Sequence, residues 1–107
     1  MKLYGYRYDS HNKKFFEKEI SVKESNTHNF RLPANNGISN ASTFPKRRLG
    51  ELSAVVGDSY AFYEKPSRDA FITQVKTLMG QTTKTYEGLA VAERCKYMEF
   101  IGVVNKL

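Results

Sequence analysis

Apolar and polar positions alternate through the first third of the chain. From Leu3 to Tyr8, three tyrosines (Tyr4, Tyr6, Tyr8) share one side of a period-two ladder, with Leu3, Gly5 and Arg7 on the other. That pattern predicts a half-buried strand. Asp9-Ser10-His11-Asn12 is a polar turn of hairpin length. A second strand is predicted from Lys14 to Lys23, with Phe16, Ile20 and Val22 on one face and Phe15, Glu17, Glu19 and Ser21 on the other. Lys18 interrupts the apolar face, which places it near a sheet edge. After a turn at Ser25-Asn26, His28, Phe30 and Leu32 alternate with Asn29 and Arg31. The three strands read as a meander.

Pro33 to Thr43 has loop composition, of a length that in compact domains is often functional or mobile. Leu49, Leu52, Val55 and Val56 have helical spacing and predict a short middle helix ended by Gly57. A fourth strand spans Ser59 to Glu64, with Tyr60 and Phe62 opposite Ala61 and Tyr63. The clearest helix starts at Pro66-Ser67 and carries Phe71, Ile72, Val75, Leu78 and Met79 as a stripe that can cover a sheet. Gly80 is its natural stop, and Gln81 to Thr85 make a polar connection. A last helix runs from about Tyr86 into the Lys96–Phe100 region, with Val91, Cys95, Met98 and Gly102 on one stripe and Ala90, Tyr97 and Ile101 beside it. The expectation is an α+β fold: one domain over residues 1–107, an antiparallel sheet of about four strands, and a helix from Ser67 to Met79 covering one face.

With 107 residues, a core can form without staples, and seven Tyr and seven Phe supply much of its area. The lone Cys95 excludes an intramolecular disulfide and a thiolate-rich metal site. No apolar run approaches the roughly 20 residues that span a bilayer, and the first residues lack a signal-peptide core. A cytoplasmic setting without a membrane partner is therefore expected.

Catalytic and metal motifs are missing from the pattern. His11 and His28 have no second ligand at metal spacing, and Cys95 reads as a small hydrophobe on its helix. Glu17 and Glu19, with Lys18 between them, read as charge partners on a solvated face rather than as an acid–base pair. Gly37, Gly50, Gly57 and Gly80 are isolated and fit no phosphate loop. No cofactor is expected, and an enzyme is disfavoured.

Binding chemistry fits better. Lys and Arg total 17 against 11 acids, a net charge of +6 that attracts polyanions. Lys46, Arg47 and Arg48 follow Phe44-Pro45, and Lys65 and Arg68 bracket the next strand-to-helix turn. Together they suggest a patch for phosphates or carboxylates. Lys13 and Lys14 beside the tyrosines of the first strand could extend it into a basic–aromatic platform for nucleic acid, although burial of those rings in the core is the favoured reading.

Three stretches also resemble a loose group of small uncharacterised proteins from phages and prophages of Gram-positive bacteria. They are LYGYRYDSHNKKFFEKEISVKES, RRLGEL and SYAFYEKPSRDAF, within about two-thirds of the chain. The resemblance implies a strand, strand, strand, short helix, strand, helix order. It also implies a small protein that acts by contact on a host protein or nucleoprotein, such as a defence complex (a CRISPR effector among them). It carries over no catalytic residues. The expected function is a non-enzymatic binding module that uses Lys46, Arg47, Arg48, Lys65 and Arg68. Direct nucleic-acid binding, with Lys13 and Lys14 added, is the alternative, and a homodimer is compatible with either.

Overall fold

The computed structural model describes residues 1–55, 58–85 and 90–107. Its elements are β1 (Lys2–Asp9), β2 (Lys14–Ser21), β3 (Lys23–Glu24), β4 (Asn29–Arg31), β5 (Thr43–Pro45), a 3-10 turn at Lys46–Arg48, β6 (Ser53–Val55), β7 (Asp58–Tyr63), α1 (Arg68–Thr85) and α2 (Ala90–Asn105). The fold is α+β.

β1 and β2 form an antiparallel hairpin with Tyr4 opposite Glu19 and Tyr8 opposite Phe15. Asp9 shapes its turn by accepting hydrogen bonds from the backbone amides of His11 and Asn12 and from Asn12 Nδ2. The strands do not continue as one meander. One sheet has the order β2-β1-β7-β6, and β3, β4 and β5 form another. The third segment therefore leaves the hairpin instead of pairing beside it. Folding over lets Phe30 and Leu32, with Val22, Ile38 and Phe44, cover the face that carries Leu3, Ile20 and Phe62. A single-layer meander would leave that apolar face in water.

On the opposite face of the first sheet, Tyr6, Tyr8, Ala61 and Tyr63 meet Phe71, Ile72 and Val75 of α1 and Phe100 of α2. Tyr8 and Phe100 pack edge to face, 4.7 Å between centroids. The tyrosines of β1 thus serve the core.

Residues 33–43 fold back as a plug. Ile38 is 3% exposed, and the Asn36 side chain ties its turn by accepting from the Ile38 and Ser39 amides and donating to the Pro33 carbonyl. The middle helix expected at 49–56 is replaced by the 3-10 turn and β6. Leu49 packs against the core of the second sheet and Leu52 against the helix-side core. A helix would have put these residues, three apart, on one face. Gln74 fastens the segment: its Oε1 accepts from the Leu52 amide, and its Nε2 donates to the Gly50 carbonyl and Tyr63 Oη.

The helices differ from expectation as well. α1 begins at Arg68 and passes through Gly80 to Thr85. Leu78, placed on the buried stripe by its spacing, is exposed. On α2 the stripe of Cys95, Met98 and Gly102 faces outward, Met98 being 64% exposed. Phe100 is buried instead, with Ile101, Val103 and Val104 packed beside it. Val56, Gly57 and Tyr86 lie outside the described residues, as do the side chains of Val55, Met79, Ala90, Val91 and Tyr97.

Candidate functional site

The seven cations singled out by sequence do not form one patch. Lys46 Nζ sits 3.0 Å from Glu24 Oε1 and 5.3 Å from the centroid of Phe30. Arg48 donates to Ser53 Oγ at 2.7 Å and lies near Glu51. Lys13 pairs with Glu99 on α2 at 3.2 Å. Arg68 grips Glu17 with two donors, Nε to Oε2 at 2.6 Å and Nη2 to Oε1. Arg47, Lys65 and Lys14 are exposed and have no ion pair among the described residues. Two of the three charges in the run 46–48 are therefore engaged at the surface by neighbours in the same chain.

The first sheet offers a different feature. β2 is its terminal strand and, among the described residues, pairs only with β1. All eight of its residues except Phe15 and Ile20 are exposed. Its even-numbered side chains, Lys14, Phe16 and Lys18, share the face of Gly5 and Arg7; Glu17 and Glu19 share the face of the tyrosines. The two acids are already engaged, Glu17 by Arg68 and Glu19 by Lys2 at 3.0 Å. Hydrogen bonding to Glu19 raises the Lys2 pKa, and the same contact from Glu17 raises that of Arg68. Neither Lys14 nor Lys18 has an acid partner among the described residues. The charge left free along this edge is positive.

Beside the edge runs an open groove of about 740 Å³, walled by Tyr4, Tyr6, Glu17 and Glu19 on the sheet and by Pro66 to Ala70 at the start of α1. Its floor is fixed by the Ser67 amide, which donates to Tyr6 Oη at 2.8 Å. The Ser67 hydroxyl turns back to the Lys65 carbonyl rather than to a helix amide. A smaller hollow of about 350 Å³ lies between Arg7, Asp58, Tyr60 and residues 37–41. Arg7 there is held by Asp58, Asp9 and the Gly37 carbonyl, and it stands 5.0 Å over the Phe16 ring. These contacts occupy it structurally.

Lys23 and Arg31 are not marked as contacts by the sequence pattern, and Lys18 is marked there only as an edge position. Lys23 is the cross-strand neighbour of Arg31 on the exposed side of the second sheet. Such like-charge opposition costs stability and becomes visible only once the register is known. Among the described residues no cluster of three His, Cys, Asp or Glu is placed to hold a metal. No family model, curated protein or solved structure matches the chain.

Proposed function

We propose that this protein is a non-enzymatic binding module that acts by contact on a protein partner, free or within a nucleoprotein, through the edge of β2. The observation that carries this reading is an eight-residue edge strand with, among the described residues, no strand on its outer side and no acid partner for its two lysines, and with a groove alongside. Unpaired strand edges are templates for another chain. In the setting implied by the resemblance, the partner is a host protein or nucleoprotein in the bacterial cytoplasm, and a defence complex belongs to that class.

The test is capture from bacterial lysate with and without nuclease, using the parent and a Lys14→Glu/Lys18→Glu variant. Capture of a polypeptide that survives nuclease and is lost in the variant supports the reading; equal capture by both proteins contradicts it. A second reading, direct nucleic-acid contact, draws on the Lys23–Arg31 opposition and on exposed Arg47. Against it, Tyr6, Tyr8 and Tyr63 are buried, so among the described residues few rings are left for stacking on bases.

A further inference from the structure

The backbone of β2 can be phased from two hydrogen bonds. The Val22 amide donates to the Met1 carbonyl at 2.9 Å, and the Gly50 amide donates to the Phe62 carbonyl at 2.8 Å. With residue numbers in the hairpin register summing to 23, the first bond makes the even residues of β2 those that exchange bonds with β1. The second bond agrees, because it leaves Phe62 turned away from β1. The amides and carbonyls of Phe15, Glu17, Glu19 and Ser21 consequently face outward.

An added strand would bond to those odd residues. Its other side chains would then stand in close, non-hydrogen-bonded pairs with Lys14, Phe16 and Lys18, where opposed Cα atoms are about 4.5 Å apart. Acids opposite the two lysines and an apolar residue opposite Phe16 satisfy all three positions. A second copy of β2 does not. A two-fold axis normal to the sheet pairs residues of equal parity. Registers centred on Phe16, Glu17 or Lys18 then set Lys14 on Lys18, Glu17 on Glu17, or Lys18 on Lys18, so every extensive self-pairing opposes like charges.

From this geometry we infer that β2 captures an extended, antiparallel acidic segment with the pattern acid-x-apolar-x-acid. The inference rests on the binding reading above and names the chemistry of its partner. Lys2 and Arg68 keep the two native acids on the far side of the strand neutralised, so the incoming carboxylates meet net positive charge. Main-chain bonds supply affinity, and the Lys-Phe-Lys face supplies selectivity.

The test uses the full chain and a synthetic peptide, Thr-Glu-Thr-Val-Thr-Glu-Thr, in three forms: unmodified, N-methylated at the two Thr that flank Val, and N-methylated at Val. With Val opposite Phe16, the flanking Thr amides point at β2 and the Val amide points away. Blocking the Thr amides should weaken binding about tenfold or more, whereas blocking Val leaves it unchanged, since each lost bond is worth about 0.5–1.5 kcal/mol. The Lys14→Glu/Lys18→Glu variant, checked for folding by circular dichroism, should lose about tenfold in affinity and prefer the same peptide with Lys in place of Glu. Equal binding of both N-methylated forms would overturn strand addition and leave the binding reading intact. Absence of peptide binding, with lysate capture still sensitive to the variant, would do the same. A β2-mediated homodimer in sedimentation would overturn the inference too. Loss of peptide binding together with lysate capture unchanged by the variant would remove both.

Discussion

Ile38 occupies the notch that Gly5 leaves in the first sheet: a Cβ at residue 5 would lie 2.7 Å from Ile38 Cγ1 and 3.2 Å from the Phe62 ring. The contact joins β1 to the 33–43 loop and locks that loop over the core. Gly5→Ala should therefore destabilise by about 1–3 kcal/mol through overpacking, and Ile38→Ala by about 2–4 kcal/mol through the cavity it leaves. The double variant should cost less than the sum of the two, because each change relieves the other. Denaturant unfolding of the four proteins checks this, and strict additivity would contradict the contact.

Gln74 is the clamp between α1 and the 50–52 segment. Gln74→Ala removes partners from the Leu52 amide, the Gly50 carbonyl and Tyr63 Oη, all part-buried. The expected cost is about 1–3 kcal/mol, with faster amide exchange at Leu52 as the local signature.

The sequence made part of this legible. Strand alternation in β1 and β7 is strong because both faces of each carry core residues, the tyrosines alternating with residues that serve the other core; β2 is legible from its rings and Ile20 although most of its residues are exposed. The second sheet is poorly marked. Its strands are two or three residues long, too short for a period to emerge, and the position of β4 depends on burying a face that only the folded hairpin defines. Leu49 and Leu52 fit a helix in spacing, yet they feed opposite cores. On α2, apolar residues surround the axis, so spacing could not tell Phe100 from Met98. The dispersal of the cations was invisible for a related reason: Arg68 meets Glu17 and Lys13 meets Glu99, pairings far apart in the chain that only the tertiary fold creates.

Lys46 and Arg48 are held by neighbours in the same chain, whereas Arg47 has no ion pair among the described residues. Simultaneous replacement of Lys46, Arg47 and Arg48 by alanine should therefore lower Tm, whereas Arg47→Ala alone should leave it unchanged. Thermal melts by circular dichroism decide this; the reverse order would restore the triplet as a free surface patch.

Asp9 sets an acid limit on the hairpin. Its pKa lies below the ordinary carboxylate value, first because Asn12 Nδ2 donates to it, then through the Asn12 and His11 amides and nearby Arg7, with desolvation opposing. A depressed folded pKa gives stability that is present above the unfolded Asp value, near 3.9, and lost as pH falls through the folded one. Asp9→Asn should melt below the parent at pH 7, and the gap should close as pH drops below about 4. A gap that does not vary with pH would contradict this role.

Tyr8 and Tyr63 act at the other end of the scale. Burial raises both pKa values above 10.0. Their contribution is intact below the unfolded value and declines as pH rises past it, because the unfolded chain ionises first. Spectrophotometric titration should show Tyr8 and Tyr63 ionising late, with alkaline unfolding, and Tyr8→Phe should reduce that late amplitude.

The most direct measurement is an amide chemical-shift titration of the isotope-labelled protein with the Thr-Glu-Thr-Val-Thr-Glu-Thr peptide. Edge recognition predicts perturbations along Lys14–Ser21, with slowed exchange at Phe15, Glu17 and Glu19 and smaller shifts at Tyr4 and Ser67 to Ala70. Perturbations confined to Lys23, Arg31 and Arg47, or none at saturating peptide, would contradict it.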